Sequence, residues 1–447
     1  MISSFYKEES REICMLMNIL GYSQKQREAR VEAYSLTAIH QCNDKEDCIG
    51  TGSKIEGVAG RLESDFDVMY VPTNVICIES GTVDAKEFSS KTILRIDTAY
   101  SAQAYCRLKK EIVRAHCPEA IVKSLTPDGH GNDLLSSDLY YEHTKRDAQI
   151  AGGVFKPRSG PACPVTDGTL DYDYVHALRC HIPSLLRQWA ERYRLWPPDN
   201  IVQMIESMGG FVTPVGFKES TFTHLEWRIC FSSGETELMH NLNDTQLKLY
   251  VLLKMIVKHV LNPQKKEITS YMVKNLILHL AENNEQKLFH EQNLLHWLKA
   301  ALSKLKTAIS DKRLSSYMIP MRNLMACSRL EASQQRTWIK TIKDMISEGP
   351  RIILRLQKLR TAIICFGEPL LWYTKLKLEL ELLELYFCRR LFELEYENSS
   401  KESDTVIREI LRRKNEILRD VQRCLRNEGS RRECWNDLHK IAKSMLD

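Results

Sequence analysis

Along the 447-residue chain, apolar positions recur with two different periods. Over residues 5–41 they follow helical spacing, returning at Val31, Tyr34, Leu36 and Ile39, and Ser23 stands as an N-cap before the run that opens at Gln24. Lys25, Arg27 and Arg30 then form a basic edge on that helix, unless they are simply its solvated face. Residues 64–70, 72–78 and 92–98 read as strands. Residues 102–116 are expected to be helical, with Lys109, Lys110 and Arg114 outside. The stretch 125–164 is rich in turn chemistry, as at Asp128-Gly129-His130-Gly131-Asn132 and Ser159-Gly160-Pro161, with a helix within 134–147. Residues 170–180 alternate like a strand. Further on, helices are predicted over 183–198, 243–261 and 294–309, with another starting near Ile268. Residues 331–447 read as successive helices broken at Gly349-Pro350, Gly367-Glu368-Pro369, Asn398-Ser399-Ser400 and Asn427-Glu428-Gly429, without a fixed repeat.

Chemistry concentrates between Gly52 and Tyr70. Side chains alternate faces along a strand, so Asp65 and Asp67 share one face while Phe66 and Val68 take the other. Two adjacent carboxylates repel unless a positive charge sits between them, and a hard divalent cation with oxygen ligands meets that need. Gly52-Ser53 is a small turn of the kind that lets backbone N–H groups approach an anion. Taken singly, an Asp-x-Asp pair is a solvated strand edge and a Gly-Ser pair is a loop. Together, a Gly-Ser turn followed by an Asp-x-Asp strand is the layout of a nucleotidyltransferase that holds a triphosphate and two metal ions.

Composition narrows the class. Hydrophobic content of 43% and charged content of 27% are those of an ordinary globular chain long enough for two or three domains. A net charge of +5 neither demands nor excludes a nucleic-acid partner. The start lacks a basic region followed by an apolar run, and no apolar stretch approaches the length of a membrane span. The 14 cysteines include no C-x-x-C pair, which argues for free thiols in a reducing, cytoplasmic setting rather than a disulfide scaffold or a tetra-cysteine zinc site.

With Gly52-Ser53 and Asp65-Phe66-Asp67-Val68-Met69 in view, the chain resembles the cGAS-like receptors among the male-abnormal (Mab-twenty-one-like) nucleotidyltransferases. The string Glu226-Trp227-Arg228 with Phe231-Ser232 and Glu235 resembles a characteristic segment of that family, and Ser270-Tyr271 with Lys274 resembles its Ser-Tyr-x-x-Lys helix start. The resemblance spans about residues 10–325. It implies an α+β, bilobal fold: a mixed β-sheet catalytic lobe with an N-terminal spine helix over 1–197, a helical lobe over 198–330, and a helical extension of unknown role over 331–447. It also implies that Asp65, Asp67 and a third acid hold two Mg²⁺ or Mn²⁺ ions. Asp173 fits the third position by its spacing to Ala177-Leu178, with Asp171 as the competitor. Gly52, Ser53, Arg228, Ser232, Glu235, Lys254, Ser270 and Tyr271 are the implied nucleotide-binding residues.

The implied activity joins ATP, GTP or other NTPs into a cyclic dinucleotide or short oligonucleotide, a second messenger read by a STING-type receptor. The vertebrate DNA sensor carries a cysteine-and-histidine zinc insertion after the segment matching Ser232–Glu235. Residues 239–246 make the join directly here, so no zinc is expected and double-stranded RNA becomes the implied activator. Lys25, Arg27, Arg30, Lys109, Lys110 and Arg114 are the candidate contacts, in an innate-immune role. Two readings stand beside this one. Some male-abnormal-type proteins keep the fold as non-enzymatic scaffolds or developmental factors, although here all three acidic positions are filled. A polyadenylating or uridylating polymerase shares the triad logic but does not account for the Trp227 and Tyr271 segments.

Overall fold

A computed structural model describes residues 6–39, 42, 44–81, 85–147, 153–166, 168, 170–261, 267–326, 328, 330–397, 400, 401, 403–427 and 438–446. The chain is a mixed α+β protein. It opens with α1 (Lys7–Met17) and α2 (Gln24–Ile39), followed by strand β1 (Glu46–Thr51) and the short helix α3 (Gly52–Ile55). Next come β2 (Phe66–Pro72), β3 (Val75–Glu79), β4 (Thr92–Asp97) and β5 (Tyr105–Ile112). After α4 (Glu119–Lys123) lie β6 (Leu125–Pro127), β7 (Asp133–Leu135), α5 (Ser137–Asp147), β8 (Val154–Phe155) and β9 (Cys163–Thr166). The sheets are completed by β10 (Asp171–His176) and β11 (Leu178–His181) and, beyond helices α6 (Pro183–Ala190) and α7 (Asp199–Met208), by β12 (Gly210–Thr213) and β13 (Glu226–Cys230).

The strands form two sheets. One has the order β1-β2-β10-β9-β8. The other has the order β13-β12-β11-β3-β4-β5-β7-β6, and β13 also pairs with the first part of β5, which closes six of its strands into a ring. Ala177 alone separates β10 in the first sheet from β11 in the second, and its N–H donates to the Tyr70 carbonyl at 3.0 Å.

Two expectations are corrected here. Residues 102–116 hold strand β5, not a helix: Cys106 and Leu108 are buried while Arg107 and Lys109 are half-exposed, the two-residue alternation of a strand. Lys109 and Lys110 therefore leave opposite faces of a strand and make no common basic helix surface. Lys110 is also paired with Asp133. The boundary at 197–198 falls before β12 and β13, so the ring draws on chain from both sides of it.

Helices dominate the rest: α8 (Ser232–His240), α9 (Asp244–Ile256), α10 (Ser270–Glu282), α11 (Leu294–Asp311), α12 (Ala332–Glu348), α13 (Gln357–Ile364), α14 (Glu368–Tyr396), α15 (Thr405–Asn427) and α16 (Leu438–Leu446). The start of α9 is set by a capping box, in which the Asn243 side chain accepts from Gln246 N–H and the Gln246 side chain accepts from Asn243 N–H. Thr269 caps α10 through Met272 N–H. The breaks at 349–350 and 367–369 coincide with helix ends; those at 398–400 and 427–429 lie partly outside the described residues. The 331–447 segment is no separate appendage. Helix α14 lies along α2, α12 packs on α11, and Leu385 of α14 joins the core under β2.

Candidate functional site

Strand β2 lies inside the first sheet, flanked by antiparallel β1 and parallel β10. Phe66 and Val68 sink into a cluster with Tyr34, Ile55, Tyr174 and Leu385. Asp67 shares the opposite face with Met69 and Val71, which pack against the linking Ala177 and against Phe211 of the second sheet. Register places Asp67 directly beside Asp173 on β10 and Thr51 on β1. Asp65 stands exposed just before the strand. Burial pushes the Asp67 carboxyl up to about 7, with Asp173, Asp65 and Glu56 adding repulsion. Burial likewise lifts Asp173 to about 6, helped by Asp65 and Asp171. Asp171 is different: Lys156 Nζ lies 2.6 Å away and holds its carboxyl below the usual range.

Gly52 has φ +76°, and a Cβ there would fall 2.1 Å from Asp67 Oδ2. Only glycine lets the turn close onto that carboxylate. Ser53 follows, accepting at Oγ from Lys254 Nζ at 2.7 Å and bonding the buried Tyr250 hydroxyl. Tyr250 and Lys254 sit four apart on α9, one turn of one helix face. Sequence-distant Gly52-Ser53 and Lys254 thus meet beside the acidic face.

A second group lies next to this one. Tyr271 OH donates to Glu235 Oε1 at 2.6 Å, and burial raises the Glu235 carboxyl. Lys274, three residues on, ion-pairs with buried Glu56 just after α3. Burial would lower the Lys274 amine, but Glu56 and Glu235 outweigh it and hold the group charged. Arg322 lies 5.9 Å from the Tyr271 ring centroid. Arg228 on β13 is half-buried and forms no ion pair with any described residue. Ser232 opens α8, its hydroxyl 3.6 Å from Cys230 Sγ, and Ser270 is exposed at the first position of α10. Glu56, Tyr250, Lys274 and Arg322 were not predicted as site residues; Lys274 stood in a quoted motif, but the others carry no local signal.

The predicted basic edge of α2 is corrected. Arg27 is buried, donating to Asp244 Oδ1 at 2.8 Å and to the Tyr22 carbonyl at 2.7 Å. Arg30 is buried in a two-pronged pair with Glu381 at 2.9 and 2.7 Å. Of the three, only Lys25 is exposed. An edge read from spacing alone misses partners more than 200 residues away.

Under β2 lies a lone amine. Lys54 is fully buried, 5.3 Å from the Tyr34 ring centroid and 6.0 Å from that of Phe66, and its Nζ has no hydrogen-bond partner among the described residues. Burial, with Arg61, pulls it from 10.5 down to about 8. The unfolded chain keeps this proton to about pH 10.4 and the folded chain loses it near 8, so the penalty is complete below pH 8 and fades as pH rises to about 10.4. At ~1.4 kcal/mol per unit, less the two aromatic contacts, Lys54→Met is expected to stabilise the protein by about 1–3 kcal/mol at pH 7. Urea denaturation should show that gain vanishing by pH 10.5; an unchanged or lowered midpoint at pH 7 contradicts it.

Among the described residues, no three His, Cys, Asp or Glu side chains form a ready metal cage. The fit of this acidic face to a hard divalent ion rests on donor chemistry: two carboxylates pushed up by burial and then by neighbouring carboxylates, a third within electrostatic reach, and a glycine turn closed on one of them.

The architecture is that of a mixed α+β protein in which Asp67 and Asp173 lie side by side with Gly52 closed onto one of them. Residues 238–344, from α8 to α12, match the Mab-21 protein HhH/H2TH-like domain family, which includes nucleotidyltransferase-like members. No curated protein matches the chain. No helix among the described residues is long and apolar enough to cross a membrane.

Proposed function

We propose that the chain is a metal-dependent nucleotidyltransferase that joins NTPs into a cyclic or short oligonucleotide. One observation carries this reading: Asp67 and Asp173 lie side by side on parallel strands, closed by Gly52 and faced by the Ser53–Lys254 pair. Asp65, Asp67 and Asp173 would hold Mg²⁺ or Mn²⁺, which would neutralise the triphosphate and polarise the reacting phosphoryl group. Lys254 and Ser53 offer an amine and a hydroxyl to phosphate oxygens. Arg228, without a carboxylate partner among the described residues, offers a planar fork for phosphate or base. Tyr271 presents a ring to a purine, its hydroxyl fixed by Glu235.

Double-stranded RNA is the proposed activator, supported by the short Asn241–Asn243 join between α8 and α9. With Arg27 and Arg30 committed to ion pairs, Lys25, Lys109 and Arg114 are the remaining contacts. Binding through phosphates should weaken steeply with salt and show little sequence preference. The test is incubation with all four NTPs and Mg²⁺ or Mn²⁺, with and without duplex RNA or DNA, and identification of products by mass spectrometry. Product raised by duplex RNA, and lowered in Lys25→Glu/Lys109→Glu, is expected. Stimulation by DNA alone removes the activator assignment, and absence of any product under every condition removes the enzyme reading.

A further inference from the structure

The loop between Gly57 and Asp65 joins the glycine turn to the acidic strand, and it makes few bonds of its own. Glu63 N–H reaches the Gly60 carbonyl at 3.1 Å, and Glu63 Oε2 accepts from Gly60 N–H at 2.7 Å. Its other anchors come from far away. Arg61 N–H donates to Glu381 Oε1 at 3.2 Å, and the Arg61 side chain reaches Cys388 Sγ at 3.8 Å and Glu384 at 4.0 Å. Glu63 pairs with Lys358 of α13 and accepts from Tyr22 OH at 2.8 Å. Burial would raise the Glu63 carboxyl, but Lys358 and the Gly60 N–H outweigh it and hold it near 2. Leu62 packs on the cluster of Leu376, Leu380, Ile417 and Leu418 from α14 and α15.

Glu381 is the hub. Its side chain is only 5% exposed, and its two oxygens accept from Arg30 Nε, Arg30 Nη2 and Arg61 N–H, so the buried carboxylate is fully engaged. Arg30 in turn donates to the Gly21 carbonyl at 2.7 Å and the Gly57 carbonyl at 3.4 Å. A buried ion pair is a poor source of net stability compared with apolar packing, and its attested use is to fix one arrangement. Here the arrangement it fixes is the loop four positions before Asp65. The same helix supplies Leu385 to the back of β2, beneath Phe66 and Val68.

We propose that the C-terminal helices are a built-in clamp on the active site, with Glu381 and Lys358 as positioning residues that set Asp65 through the Gly57–Asp65 loop. This rests on the assignment of Asp65 and Asp67 to the metal site. The clamp lies mostly beyond the 238–344 match, so that domain does not contain it. It also occupies the α2 face bearing Arg30, which closes that face to other ligands.

Full-length variants test it. Glu381→Gln strands a buried guanidinium and can lose the fold, so Arg30→Met/Glu381→Met is the main variant, since apolar replacement of a buried pair preserves folding. Lys358→Met removes one grip near the surface. Three readouts are used: hydrogen exchange of residues 60–66, affinity for Mn²⁺ alone, and the split between kcat and KM for NTP. In the double Met variant, exchange at 60–66 is expected to quicken at least about tenfold while β3–β5 stay protected. Mn²⁺ affinity should fall about 10- to 100-fold, as when groups behind a metal ligand are removed. The kcat should fall more than KM rises. Lys358→Met should show the same pattern more weakly. Exchange at 60–66 and Mn²⁺ affinity both within about twofold of the parent overturn the clamp. If the parent neither binds Mn²⁺ nor forms product, the nucleotidyltransferase reading fails, and Asp65 positioning falls with it. Unchanged exchange beside intact parental activity removes the clamp alone.

Discussion

Asp67→Asn is expected to abolish product formation, by at least about a thousandfold, while making the metal-free protein more stable. The loss follows from removing an oxygen donor where ion-borne charge stabilisation supplies several kcal/mol of the barrier. The gain follows from the raised carboxyl. The unfolded chain releases the Asp67 proton near pH 4, whereas the folded chain, by burial and by Asp173, holds it to about 7. Between these values the folded state binds more protons, so stability falls as pH rises and the penalty is complete above 7. Three units correspond to about 4 kcal/mol as an upper figure, shared with Asp173 because the two titrate as a pair. Asparagine keeps the shape and removes the charge. Denaturation of parent and variant at pH 4 and pH 8 should show stabilisation only at pH 8, and near-normal turnover in the variant would defeat the metal assignment.

Asp173→Asn is expected to be as damaging as Asp67→Asn, whereas Asp171→Asn should keep activity within about threefold of the parent. Two residues apart on β10, these acids differ in surroundings. Asp173 is in register with Asp67 and is lifted to about 6 by burial and then by Asp65. Asp171 has a side chain 44% exposed, faces Thr166 in the ladder, and is already neutralised by Lys156. An exposed pair of this kind contributes about 0–1 kcal/mol. Steady-state rates for both variants decide the matter, and the reverse ranking transfers the role to Asp171.

The parts of this site that could be read from sequence are those whose signal is local. Asp65-Phe66-Asp67-Val68 shows its two faces through alternation, and the Gly52-Ser53 turn precedes it at short range. Helix α9 was legible from its period, the start of α10 from a family resemblance, and the breaks after α12 and before α14 from Gly and Pro. What escaped depends on distant chain. Residues 102–116 can be aligned to a helical face, and it is pairing with β4, β7 and β13 that makes Tyr105–Ile112 a strand. Arg27 and Arg30 looked like surface cations because Asp244 and Glu381 lie 217 and 351 positions away. Lys54 carries no local signal; only the closing of α2, α3 and β2 around it leaves its amine without a hydrogen-bond partner among the described residues.

The bond from Arg61 N–H to Glu381 spans 320 positions. Its consequence is one of order in time. A ribosome adding about 5–20 residues per second needs roughly 16–64 s to travel from Arg61 to Glu381. Once β13 has been made both sheets can pair, yet the stretch ahead of Asp65 still lacks its distant anchors. A chain that reaches α12 but not α13 therefore carries Asp65, Asp67 and Asp173 while the loop beside them lacks its partners from α13 and α14. If the clamp holds, the loop is set only after α13 and α14 have been made, so its order comes later than that of the sheets it serves.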